Sequence, residues 1–135
     1  MTQSETVSNA GGRCAGRRPD RLPEGSRVVV KIGSSSLTRA DGGLDLNRID
    51  ILAGLIAGMR RRGHDVVLVS SGAVASGLAP LGLDRRPDEL RLLQAAASVG
   101  QGRLAARWET AMSAYGLVTA QVLLTAHDVA IRSHY

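Results

Sequence analysis

In "VVVKIGSSSL" (residues 28–37) a β-branched run passes through a lysine and an isoleucine to a glycine and then to three serines. A short, continuous apolar run of this kind, here Arg27 to Ile32, has the pattern of a strand buried on both faces, and Gly33 ends it. "DVVLVS", from Asp65 to Ser70, repeats the pattern and breaks into "SGAVASG". Between the two runs Ile49, Leu52, Ile56 and Met59 recur at helical spacing. Asp45 or Asn47 is placed to cap that helix, Gly63 to stop it, and Arg60, Arg61 and Arg62 fall in its last turn, where cations suit the helix dipole. Strand, helix and strand at this spacing predict a right-handed βαβ unit with parallel strands.

Further along, Leu93, Ala97, Gly100, Leu104, Trp108, Met112 and Tyr115 step by three or four, which predicts one long helix from Leu90 with Trp108 and Tyr115 in the core. Gly100 and Gly102 lie inside it. Each costs about 1 kcal/mol relative to alanine, so another backbone is expected to come close there. In the same way "GLIAG" (residues 54–58) predicts close helix packing. Gly116 is expected to end the long helix, Leu117 to Leu124 to form a third strand, and Thr125 to make a capping box with Asp128.

Composition agrees with a layered α/β protein. The 135 residues are 44% hydrophobic and 21% charged but only 2% aromatic, so the core must be built from Val, Ile, Leu and Ala. The formal charge of +5 owes much to Arg13, Arg17, Arg18 and Arg21. Residues 1–26, rich in Gly, Pro and Arg and without a hydrophobic period, read as a flexible basic extension. It lacks the interleaved aromatics of single-strand nucleic-acid binders, and no specific nucleic-acid partner is expected. One cysteine, Cys14, excludes an internal disulfide and suits a reducing compartment. Residues 1–26 contain no apolar stretch of the length a signal peptide requires, no later stretch reads as a membrane span, and a cytoplasmic protein with no membrane partner is expected.

Ligands of parallel α/β sheets bind beyond the carboxyl ends of the strands, and both polar clusters fall there. "KIGSSS" offers a strand lysine, a glycine and hydroxyl and N–H donors; "SSGAVASG" offers hydroxyls and a helix N-terminus. Lys31 is the only lysine among 17 strong bases. An ammonium on a flexible stem can follow a phosphoryl group as it moves, whereas an arginine fork prefers a fixed bidentate geometry. A lysine that merely snorkels from a strand end is the competing reading. No Walker A loop is present, since the glycine follows the lysine. His64, His127 and His134 lack metal-site spacing and read as surface or capping residues, and Asp88, Glu89 and Glu109 as ordinary helix charges.

"VVVKIGSSSLT", "VVLVSSGAVASGL", "AASVGQGRLAARWE" and "YGLVTAQVLLTAHD" resemble, in order and spacing, the N-terminal part of the amino acid kinase family, over about residues 27–135. "SSGAVASG" with "VGQGRL" points to the branch that phosphorylates the γ-carboxylate of L-glutamate. The resemblance implies a three-layer α/β/α sandwich with a parallel sheet, ATP and Mg²⁺ as cofactors, and a homo-oligomer for a full-length member. By the same resemblance Lys31 contacts the transferred phosphoryl group, Gly33, Ser34 and Ser35 line the phosphate cradle, and Ser71 with the amides of Gly72 and Ala73 holds glutamate. The residues that complete the glutamate site and bind adenine are expected beyond this sequence, which makes an incomplete, inactive kinase the expectation. Aspartate kinase, acetylglutamate kinase and a non-catalytic binding module are the alternatives.

Overall fold

The computed structural model describes residues 22–40, 42–125 and 128. Strand β1 (Arg27–Ile32) and strand β2 (Asp65–Ser70) form a parallel pair in the register Arg27↔Asp65 to Ile32↔Ser70. Helix α1 (Leu46–Arg61) is the crossover between them. A βαβ unit with parallel strands is therefore present. Of the two candidate caps, Asp45 is the one used: its carboxylate accepts from the Arg48 amide at 3.0 Å. At the other end Gly63 takes φ +82°, a conformation that costs a residue without Cβ nothing, and its N–H donates to the Arg60 carbonyl. Arg60 also reaches forward, donating to the His64 carbonyl and to Asp65 at 2.8 Å each, which ties the end of α1 to the start of β2.

Helix α2 (Ala73–Leu78) follows β2 directly, and α3 (Leu90–Ser113) is the long helix anticipated from the apolar stripe. The core forms where α1 and α3 cover one face of the sheet. Ile32, Leu37, Ile49, Ala53, Ile56, Leu104, Trp108, Ala111 and Met112 are buried together there, with Val30, Val66 and Leu68 packed against them. Arg107 of α3 is paired with Asp50 of α1 and donates to the Leu46 carbonyl at 3.3 Å, a polar link beside this seam.

Two readings of the strands need correction. Burial along β1 and β2 alternates, and the outward residues Val29, Val67 and Val69 stay exposed, Val29 at 64%. The described residues supply the sheet and one helical layer, so the β-branched runs meet a partner layer on one face only. The expected third strand is absent as well. Leu117 to Leu124 lies without strand pairing, with Val118 99% exposed. A pattern suited to a strand becomes one only when its backbone pairs with a neighbouring strand. Here the Leu117 amide instead folds back to the Met112 carbonyl at 3.2 Å across Gly116, φ +70°.

Tyr115 likewise differs from its reading as a core residue. It is 46% exposed, although its hydroxyl lies 2.8 Å from where a Cβ on Gly54 would stand. Close packing at "GLIAG" is thus against a side chain, not a second helix backbone. The capping box at Thr125 is present, with the Thr125 amide donating to the Asp128 carboxylate at 2.7 Å and the Asp128 amide to the Thr125 hydroxyl at 3.2 Å. Residues 1–21, with Cys14 and the tail arginines, and His127 and His134 lie outside the described residues.

Candidate active site at the carboxyl ends of the strands

The first polar loop leaves β1 through Gly33 in an extended conformation and winds at once into a single 3-10 turn, Ser34–Ser36. The Leu37 amide closes that turn on the Ser34 carbonyl at 2.9 Å, and the Thr38 hydroxyl bonds the same carbonyl at 3.0 Å. Leu37, fully buried, anchors the turn to the core. The hydroxyls of Ser34, Ser35 and Ser36 are therefore held on a fixed, exposed scaffold instead of a loose loop.

The second loop is pinned more firmly. The Ser71 amide continues the ladder by donating to the Ile32 carbonyl at 3.0 Å, and Trp108 donates its indole N–H to the Ser70 hydroxyl at 2.9 Å. Gly72 caps α2 with φ +112°, a value that side chains rarely adopt, and a Cβ there would also press on Leu44. The first amides of α2, at Ala73, Val74 and Ala75, have no acceptor within the helix, as at any helix start.

Helix α2 owes its position to two glycines. A Cβ on Gly100 would collide with the Ala73 carbonyl oxygen and stand 2.6 Å from the Gly77 amide, and one on Gly77 would collide with the Ala96 carbonyl. Backbone meets backbone at this crossing, which answers why α3 accepts a glycine in its middle. Gly102, read the same way from the sequence, has nothing near it and plays no such part.

These elements form a cleft of about 430 Å³, lined by Ser34, Thr38 and Gly42 from the first loop and the turn after it, by Ser71, Gly72, Ala73, Val74, Ala75 and Leu78 from the second loop and α2, and by Arg86. That volume suits a small metabolite. The cleft thus brings Ser34 together with Ser71, Gly72 and Ala73. Lys31, opposite Val69 near the end of the pair, is exposed on the sheet face away from α1 and outside this lining; Gly33 and Ser35 flank Ser34 without lining the cleft. Thr38, Gly42 and Arg86 were not singled out from the sequence. Irregular segments impose no periodicity by which such residues could be found.

Among the described residues no group of three or more His, Cys, Asp or Glu is placed to hold a metal ion. His64 is buried, 6% exposed, with Nδ1 lacking a hydrogen-bond partner, which corrects its reading as a surface or capping residue. It sits at the opposite end of the strands from the cleft, immediately before β2.

In a parallel αβ unit, two polar loops gathered at the strand ends mark the place where such folds bind small ligands. Residues 26–134 match the amino acid kinase family model, and the chain belongs to that family. It is similar to the glutamate 5-kinase of Salinispora arenicola (57% identity over 116 residues, 86% of this chain and 31% of the relative). It is also similar to the glutamate 5-kinases of Streptomyces coelicolor (57% over 112 residues, 83% and 30%) and Thermobifida fusca (52% over 124 residues, 92% and 32%). The chain spans about a third of the length of these curated relatives.

Proposed function

We propose that this chain carries the phosphate- and glutamate-handling part of a glutamate 5-kinase, which transfers the γ-phosphoryl group of ATP to the γ-carboxylate of L-glutamate and so opens proline biosynthesis. One observation carries the proposal: Ser34 of the first loop and Ser71, Gly72 and Ala73 of the second line one cleft of metabolite size. The names and 52–57% identities of the three relatives support the choice of substrate.

In this reading a glutamate γ-carboxylate oxygen attacks the terminal phosphorus, the bond to the bridging oxygen breaks, and ADP leaves with the electron pair. The nucleophile is already ionised, so no base is required. What the reaction needs is neutralisation of charge between two anions and their alignment. Lys31 supplies a mobile positive charge for the phosphoryl group. Gly33, Ser34 and Ser35 offer N–H and hydroxyl donors to the phosphates, and Ser71 with the Gly72 and Ala73 amides orients glutamate. ATP fits this donor set. Mg²⁺ finds no carboxylate cluster among the described residues. A cytoplasmic setting and a homo-oligomer at full length belong to the same proposal; among the described residues no helix is long and apolar enough to cross a membrane.

The test is acceptor choice. A protein of the relatives' full length carrying this segment is incubated with ATP, Mg²⁺ and hydroxylamine, and the acyl phosphate is trapped as a hydroxamate. Product with L-glutamate and little with L-aspartate or N-acetyl-L-glutamate is expected; preference for either of the latter overturns the assignment.

A further inference from the structure

We propose that Arg86, in the connection between α2 and α3, is the specificity-determining cation of the cleft and pairs with the α-carboxylate of the substrate. The inference rests on the proposed glutamate reading and adds to it the group that recognises the non-reacting end.

Arg86 is the one charged residue among the described residues that line the cleft; every other lining group is a hydroxyl, a glycine or an apolar side chain. It is exposed, and among the described residues no acidic side chain forms an ion pair with it. Its guanidinium therefore has its donors available to a ligand. A cavity of this size whose single formal charge is positive selects an anion, and the planar fork of arginine matches a carboxylate in two parallel hydrogen bonds.

Position decides which carboxylate. The reacting γ-carboxylate must lie at the strand ends, beside Ser34 and Ser71, where the phosphoryl group arrives. Arg86 enters the cleft from the connection that follows Leu78, the end of α2 remote from Ser71. Five steps of α2, about 7.5 Å of helix, carry the chain from Ala73 to Leu78. Leu78 and the Asp84 carbonyl, two residues before Arg86, both approach Gly42, at 3.7 and 3.9 Å from where its Cβ would stand. With one carboxylate at the Ser71 end, a five-carbon diacid extends along α2 toward the long Arg86 side chain, whereas a monoanion of the same length leaves that side chain unpaired.

The Salinispora arenicola relative with its matching segment replaced by residues 26–134 of this chain, labelled with ¹⁵N, is titrated with L-glutamate and with 4-aminobutyrate, which lacks the α-carboxylate, and the Gly72 and Ala73 amides and the Arg86 side-chain N–H are followed. L-Glutamate should shift all three, and 4-aminobutyrate should bind about tenfold or more weakly and leave the Arg86 signal in place. Arg86→Gln should weaken L-glutamate by about tenfold to a hundredfold, with 4-aminobutyrate unaffected and Arg86→Lys intermediate. Equal L-glutamate affinity in the wild type and Arg86→Gln, with the Gly72 and Ala73 amides still shifting, overturns the role of Arg86 and leaves the glutamate reading standing. No shift at any of these positions overturns both.

Discussion

Asp128 shows how a single carboxylate fixes the last described turn. Its hydrogen bonds from the Thr125 hydroxyl and then from the Thr125 amide hold its pKa below the ordinary aspartate value of 3.8. A group whose folded pKa is depressed stabilises the fold above its unfolded value and loses that contribution as pH falls through the folded one. The cap should therefore be complete at neutral pH and open only in acid below about 3.8. The Thr125 amide resonance reports this directly: a titration midpoint below the ordinary value is expected, and a midpoint at or above it contradicts the capping box. Thr125 and Asp128 were legible because their spacing is itself the signal. Arg86 and the burial of His64 were not, since the side-chain environment of an isolated residue in a loop leaves no period in the sequence.

Helix α2 is short, and its amphipathic pattern is too brief to place it. Its seat on α3 depends on bare backbone at Gly77 and Gly100. Alanine at either position should destabilise the protein by about 1–3 kcal/mol, because an added methyl has no room and must push the two helices apart. Gly102→Ala should do the opposite and stabilise by up to about 1 kcal/mol, since that position is open and glycine is a poor helix former. Urea denaturation of the three variants distinguishes them, and equal effects would show that the crossing is not close. The sequence marks both interior glycines of α3 as costly but not which one meets a neighbour. That depends on the helix's rotation, which the apolar stripe sets only to within a residue: Ala96 is buried where Ala97 was expected. The β-branched runs were equally ambiguous. They identify β1, β2 and their parallel pairing, while covering the outer face requires a layer that the described residues do not contribute.

On the scale of the molecule, that outer face and the segment after Gly116 leave Val29, Val67, Val69, Val118, Val122, Leu123 and Leu124 exposed. Apolar surface of this extent beside two strand edges that are unpaired among the described residues favours association. Sedimentation velocity of the 135-residue chain should show species larger than a monomer whose share grows with concentration; a monodisperse monomer at all concentrations would contradict it. The proposed function divides labour between Lys31 at the end of β1 and Ser71 in the cleft, and this division is its centre. Its most direct test replaces the matching segment of the Salinispora arenicola relative with residues 26–134 of this chain and measures steady-state kinetics by hydroxamate trapping. Ser71→Ala should raise the KM for glutamate about tenfold with kcat little changed, and Lys31→Arg should lower kcat about a hundredfold with that KM little changed. An active, folded chimera in which both substitutions alter kcat and KM alike, or in which Ser71→Ala leaves the KM for glutamate untouched, would contradict the assignment of the cleft.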